Sequence, residues 1–186
     1  MHRPSLLRIT VGAAISLIAF GLSGTLLRAE SNSAKSALHQ FLSPTEGSAL
    51  CYSQAYDAEQ LKGQTEPKMT ELSFHVVYGK HPDSKDQSDE YRTYWFRLAA
   101  RPAGATDTLR VAGECNERTS RIWCGVECDG GGFIVHPNSD SKSVRLVFDR
   151  LLRTVGSCEA EELSNLDLGT PGRIFELRMA DAALCK

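Results

Sequence analysis

A glycine-rich stretch that begins with two closely spaced cysteines is the segment whose backbone could most readily bind a ligand. It runs Cys124-Gly-Val-Glu-Cys-Asp-Gly-Gly-Gly-Phe133. Asp129 followed by Gly130, Gly131 and Gly132 would let backbone amides approach an anion or another ligand closely. The same residues suit a tight turn between strands, where Asp-Gly is preferred. A phosphate-binding loop would need a helix with Lys and Ser or Thr next, and a strand pattern follows instead, so we favour the turn.

The cysteines offer either a metal site or a set of disulfides. The six are Cys51, Cys115, Cys124, Cys128, Cys158 and Cys185. The middle four would supply enough thiolates for zinc, but they lack the closely spaced pairs of structural zinc sites. A redox Cys-x-x-Cys at the start of a helix is also missing from the sequence. We therefore predict three disulfides, and neither a metal nor a cofactor.

Six cysteines allow 15 connectivities, and the sequence alone does not choose among them, although strand geometry narrows the field. The predicted bridges are Cys115–Cys124, Cys51–Cys185 and Cys128–Cys158. The first depends on a two-residue turn at Thr119 and Ser120, which would place its two cysteines opposite each other across a hairpin. The second joins residues that bound the core-forming region, so it would close the domain. The third takes the two cysteines that remain.

Two tryptophans fall on the outward side of the strands that alternation predicts. Trp95 and Trp123 share that side with Arg97. Exposed tryptophan and arginine are enriched at the energetic centres of protein interfaces. Arginines on the other strands serve equally well to keep sheet surfaces soluble, since acidic residues are interspersed with them. The region around Trp95 and Trp123 is the candidate surface site.

Catalysis has little support in the sequence. The motifs Gly-x-Ser-x-Gly and His-Glu-x-x-His do not occur. A hydrolase is the alternative in which the site is assembled only by folding, around His136, Asp129 and a nearby serine.

Alternation of apolar and polar residues predicts an all-β fold. The alternating segments are 70–78, 91–100, 108–115, 121–128, 133–135, 143–148 and 173–179. Turn signals separate them, and no βαβ spacing occurs. We predict a single antiparallel β-barrel or sandwich, an up-and-down meander of about seven or eight strands. A short helix over Ser33–Leu42, with Ser33 as its N-cap, precedes the strands.

The first 29 residues predict a secretory signal peptide. Arg3 and Arg8 precede an uncharged run, Ile9–Leu27, and small residues allow cleavage between 23 and 29. The same run is long enough to span a bilayer core of about 30 Å, so a retained anchor is the alternative. Residues 30–48 would then form the helix and a linker, and 49–186 the barrel-like domain.

Length and charge limit the function. The 186 residues suit one domain, and a formal net charge of -2 argues against a nucleic-acid partner bound by a basic face. We expect a periplasmic or secreted protein that does not contact the membrane after signal cleavage. The favoured function is a non-enzymatic module that binds a small ligand or a protein. The alternatives are the hydrolase and an envelope structural protein held by an uncleaved N-terminal helix.

Overall fold

The structure, a computed structural model, describes residues 36–80, 92–126, 130–148, 152–154, 164–166, 168 and 172–185. All of them belong to one compact unit, Ala34–Lys186. Several predictions lie outside the described residues, namely the signal peptide at 1–29, the bridge Cys128–Cys158 and the role of Asp129. No helix within the described ranges has the length and apolar character needed to cross a membrane.

Ten strands are described, and eight of them form a closed antiparallel barrel. They are β1 (Ala49–Ala55), β2 (Met69–Gly79), β3 (Thr93–Pro102), β4 (Leu109–Arg118), β5 (Arg121–Gly125), β6 (Gly132–Pro137), β7 (Ser143–Phe148), β8 (Leu152–Thr154), β9 (Ser164–Leu166) and β10 (Arg173–Met179). Strands β1 to β7 pair in chain order, and β10 joins β7 to β1. Strands β8 and β9 form a separate two-stranded sheet. The predicted all-β meander is confirmed, and of the two predicted architectures it is the barrel that forms.

The barrel interior is filled by side chains. Buried residues alternate with more exposed ones along most of the barrel strands, and the largest inward side chains are fully buried: Tyr52, Phe74, Phe96, Phe133, Phe148, Leu72, Leu98 and Leu146. The ring of Phe133 lies 5.1 Å from that of Phe96 and 4.9 Å from that of Phe148. An eight-stranded barrel is just wide enough for side chains to fill it. The lumen is therefore a packed core.

A short helix, α1 (Ala37–Phe41), covers one end of the barrel with buried Leu38 and Phe41. Its N-cap is Ser36, so the prediction of Ser33 as the cap is wrong. The Ser36 hydroxyl both accepts a bond from the helix backbone and donates to the Glu117 carboxylate at the end of β4. The cap is thus fixed by a contact between the helix and the barrel, which helical periodicity alone does not reveal.

Two further helical segments were not predicted. Helix α2 (Ala58–Gly63) follows β1 and begins with a capping box between Asp57 and Gln60. A 3₁₀ helix, η1 (Ala182–Cys185), ends the described chain. Neither buries a broad apolar face that would give a clear helical period.

Two of the predicted disulfides are present. Cys115 and Cys124 face each other across the β4–β5 hairpin and are bonded. The turn residues Thr119 and Ser120 both have positive φ, at 47° and 60°, as the predicted two-residue turn requires. The second bond, Cys51–Cys185, attaches η1 to β1.

Candidate binding site

The indole of Trp95 lies half-buried on the outer face of β3. Its ring centroid is 5.9 Å from that of His75 on β2, with the two planes nearly perpendicular. The guanidinium of Arg97 lies 5.2 Å from the indole centroid, within cation–π range. Burial and the nearby Arg97 charge both lower the pKa of His75, so its imidazole is neutral at pH 7. The cluster is an ordered, uncharged aromatic pair beside one cation.

Trp123 has both faces of its ring covered. The Arg118 guanidinium lies 3.6 Å from the ring centroid on one side. The other side lies on Gly125 and Gly132, which are paired across β5 and β6. A Cβ added at Gly125 would fall 1.8 Å from the ring. Trp123 therefore packs over two adjacent glycines, a known way to support glycine within a sheet.

The described part of the glycine-rich stretch is used in the same construction. Gly131 has φ of 81°, a conformation that favours glycine, and its carbonyl accepts a bond of 3.0 Å from the Val126 amide. Gly132 then begins β6 beneath Trp123. Gly130 is buried beside them. These glycines lie in the connection from β5 to β6, where the absence of a side chain at Gly132 lets the Trp123 ring pack against the backbone.

His136 lies exposed at the end of β6 in a shallow groove beside α1. Ser139 and Ser141 line the same groove, which has a volume of about 420 Å³. His136 makes no hydrogen bond to any residue that the structure describes. His136 is thus not paired with a nucleophile among the described residues, and Asp129, the other residue named for the hydrolase alternative, lies outside them. Nor do these residues contain a group of three or more His, Cys, Asp or Glu arranged to hold a metal ion.

A larger groove opens where β1 and β10 separate. Strand β1 pairs with β2 over seven residue pairs, but with β10 over only two, Tyr52 with Met179 and Ser53 with Arg178. Beyond Ser53 the two strands diverge. We call the resulting cleft the β1–β10 groove; it has a volume of about 820 Å³ and is lined by Gln54, Tyr56, Gln60, Gly63, Gln64, Thr65, Gly172, Arg173, Ile174, Phe175 and Glu176, among others.

Buried Arg173 holds one wall of this groove in place. Its Nη1 donates to the carbonyl oxygens of Pro67 at 2.6 Å and Leu168 at 2.7 Å. Its Nη2 donates to Oε1 of Gln64 at 3.3 Å, and its guanidinium lies 4.6 Å from the Phe175 ring centroid. Hydrogen bonds from a charged donor are stronger than neutral ones. The segment after α2 is therefore fixed to the end of the barrel.

Tyr56 places an unpaired hydroxyl next to the same wall. Its ring centroid is 6.4 Å from that of Phe175, and its hydroxyl oxygen is buried with no hydrogen-bond partner among the described residues. Burial raises the pKa of Tyr56 to about 12, although the charge of Arg173 acts to lower it. The hydroxyl is consequently neutral, with its donor and its acceptor both unused.

The groove also exposes an edge of backbone. The amide of Ala180 donates to the carbonyl of Cys51, which shows that Ala180 points its backbone groups at β1. Strand residues two apart point the same way, so Ile174 and Glu176 direct their N–H and C=O groups at β1 too. Strand β1 no longer pairs with β10 beside Ile174 and Glu176, and no backbone group of the described residues pairs with this edge.

Sequence reasoning missed this groove, since nothing in the alternation of β1 or β10 marks where two distant strands separate. One signal was present. Arg173 shares the inward side of β10 with Phe175 and Leu177. A charged residue at an inward position indicates a special environment at that end of a barrel, because a buried charge needs partners.

Comparison with protein-family models, with curated proteins and with solved structures found no match to this chain. The groove is therefore interpreted from its own geometry.

Proposed function

We propose that this chain is an exported, disulfide-stabilised binding module without enzymatic activity, and that its partner binds in the β1–β10 groove. The observation that carries the proposal is the groove itself, with a volume of about 820 Å³. Binding sites of proteins commonly occupy about 300–1,000 Å³ and combine an apolar lining with a few polar groups. Here Phe175 and Tyr56 supply the aromatic part, and three glutamines supply amide groups: Gln54, Gln60 and Gln64.

The disulfides support the proposed export. Disulfides persist in the periplasm and outside the cell, whereas the cytosol keeps thiols reduced. The two described bonds join residues 134 and 9 positions apart in sequence, and the N-terminal sequence predicts the signal that would deliver the chain to such a compartment.

The other candidate sites support binding less well. At the predicted surface site around Trp95 and Trp123, the ring of Trp123 is already covered on both faces, by Arg118 and by the glycine backbone. The described side chains fill the lumen and leave no cavity there for a small molecule. The groove, by contrast, combines open volume with a polar side chain, Gln64, that is held in place by Arg173.

Native mass spectrometry of the full chain, purified from its own organism, tests the proposal. Gly63 lines the groove, and a side chain added there meets open space, so Gly63→Trp should fill the groove without disturbing the fold. Ala112→Trp is the matched control, because it adds the same side chain on the exposed outer face of β4.

We expect a reproducible bound mass in the parent chain and in Ala112→Trp, and its loss in Gly63→Trp. Loss in Ala112→Trp alone would move the site to the face that carries Trp95. Turnover of an envelope substrate by the pure protein, or no bound mass in any sample, would overturn the proposal. Sequencing the mature N-terminus tests export, since a start within residues 1–20 contradicts signal cleavage.

A further inference from the structure

We infer that the occupant of the β1–β10 groove is an extended, acidic segment of another polypeptide, which pairs with the open edge of β10 as an added strand. The inference rests on the proposed function, because it concerns the same groove. It goes beyond that function by naming the chemical class of the partner and the backbone groups that bind it.

The first argument is the open edge. Ile174 and Glu176 each present one N–H and one C=O toward the groove, and the described part of the chain supplies no backbone partner for them. Unpaired strand edges are templates for another strand, and main-chain hydrogen bonds give such complexes their affinity. A small ligand would meet only some of these four groups, whereas an extended segment has the same spacing of donors and acceptors.

The second argument is that the chain's own strand is held away from this edge. Strand β1 stays paired with β2 from Ala49 to Ala55, well past its last contact with β10 at Ser53. The carbonyl of Ala55, which faces the groove, already accepts a bond of 2.7 Å from the Gln54 side chain. Pairing of Ala55 with β10 would displace the Gln54 side chain from this carbonyl, so an external strand is the better partner for β10.

The third argument concerns charge. The carboxylate of Glu176 is 3.0 Å from Nη2 of Arg145 on β7, so its charge is already balanced. Arg178 is exposed at the point where the two strands separate, and no carboxylate of the described residues lies within ion-pair distance of it. Arg178 is thus a cation beside the groove that no carboxylate of the described residues balances. A segment that carries a carboxylate complements it.

The fourth argument concerns shape. Ile174 is 53% exposed, an unusual position for a large aliphatic side chain on a short strand. It lies on the outer side of β10, two residues from Glu176. Cross-strand neighbours on one face of a sheet interact directly. An apolar residue of the bound segment placed opposite Ile174 would cover it.

A displayed library of random linear peptides, selected against the full chain, supplies the probe. We expect selected peptides to carry at least one Asp or Glu and an apolar residue at alternate positions. Two versions of a selected peptide are then compared, one with its odd-numbered and one with its even-numbered backbone nitrogens methylated. Only one edge of the bound strand pairs with β10, so one version should lose binding and the other should keep it.

The decisive variant is Ile174→Pro. Proline removes the N–H that faces the groove, while the bonds of β10 to β7 use the neighbouring residues, so the barrel ladder is kept. Ile174→Ala is the matched control, because it shortens the side chain and keeps the N–H. We expect Ile174→Pro to weaken peptide binding about tenfold more than Ile174→Ala, the effect of losing one hydrogen bond with its partner left unpaired.

Arg178→Gln should weaken the acidic peptides and leave uncharged analogues unchanged. Hydrogen exchange gives a second readout, since the amides of Ile174 and Glu176 should become protected when the peptide binds.

The outcomes separate this inference from the proposed function. If Gly63→Trp abolishes peptide binding and Ile174→Pro behaves like Ile174→Ala, the groove binds its partner but strand addition is wrong. If neither variant affects binding, both ideas fail. Selection of no peptide overturns the inference, as does a concentration-dependent dimer that Ile174→Pro abolishes, because the edge would then pair with a second copy of this chain.

Discussion

Removing the Cys51–Cys185 bond should destabilise the protein far more than removing Cys115–Cys124. The two bonds close very different lengths of chain, with sequence separations of 134 and 9 residues. In the loop-entropy treatment these lengths correspond to about 5 kcal/mol and about 2.6 kcal/mol of stabilisation. All four cysteines are buried, and each pair loses the same atoms on replacement by alanine, so packing losses are matched between the two variants.

The structure adds a local reason for the same order. Cys51–Cys185 lies on the strand that closes the barrel, where β1 and β10 share only two residue pairs. Cys115–Cys124 instead joins strands that a tight turn already holds together over five pairs. Loss of the first bond removes a covalent tie close to the least extensively paired strands of the barrel, whereas loss of the second leaves its hairpin intact.

Thermal denaturation of the double variants C51A/C185A and C115A/C124A measures the difference, and neither variant leaves an unpaired cysteine from the bond it removes. At about 2–4 °C per kcal/mol for a chain of this size, we expect the melting temperature to fall by roughly 10–20 °C and 5–10 °C respectively. Hydrogen exchange should show the extra opening at β1 and β10. An equal or larger loss in C115A/C124A would refute the reasoning, because loop length would then not determine the stabilisation.

Three further predictions concern the outer face, the helix cap and the groove. Gly125→Ala should lower the free energy of unfolding by about 1–3 kcal/mol, because the new Cβ meets the Trp123 ring, and this loss should largely disappear in a Trp123→Ala background. Urea unfolding of the parent chain, the two single variants and the double variant measures the loss. If the two single effects simply add in the double variant, the contact is contradicted. The hydrogen bond from Ser36, with those from the Leu38 and Ala37 amides, lowers the pKa of Glu117 below its ordinary 4.5. The stabilisation by the ionised Glu117 carboxylate is therefore complete above pH 4.5 and is lost as the pH falls through the lowered pKa. Glu117→Gln should accordingly destabilise the protein at neutral pH and have no effect in acid. Urea unfolding at both pH values tests this, and an equal loss of stability at both would rule it out. Tyr56→Phe should leave the free energy of unfolding unchanged or raise it by up to ~1 kcal/mol, since the buried hydroxyl has no partner to lose; a clear loss of stability in thermal melts would show that the hydroxyl is paired.

The hairpin of β4 and β5 shows what local sequence determines. A two-residue turn fixes the register of the strands that flank it. Once Thr119 and Ser120 are identified as that turn, Cys115 must face Cys124, and the structure confirms this pairing. The alternation of β2, β3 and β7 is equally local, because each strand has one buried side and one exposed side.

Features that depend on distant parts of the chain were not predictable in the same way. Strand β1 has no clear alternation, since Cys51 and Tyr52 are both buried, one under η1 and one inside the barrel. The cap of α1 is Ser36 because Glu117 lies beside it, 81 residues further along the chain. The groove exists because β1 and β10, far apart in sequence, stop pairing after two residue pairs. Each of these outcomes is decided by a contact that no local window contains.

A filled barrel changes where recognition can occur. With aromatic rings occupying the lumen, the interior stabilises the fold, and the proposed partner would bind through groups that the fold leaves unsatisfied. Several such groups lie at the β1–β10 groove: the edge of β10 at Ile174 and Glu176, and the hydroxyl of Tyr56. A strand that bound there would extend the pairing of β10 while the Cys51–Cys185 bond, close to the last pairs between β1 and β10, kept the barrel from opening further. The Cys51–Cys185 bond thus ties the chain together near the C-terminal end of β10. The groove leaves the N-terminal part of the same strand open for pairing.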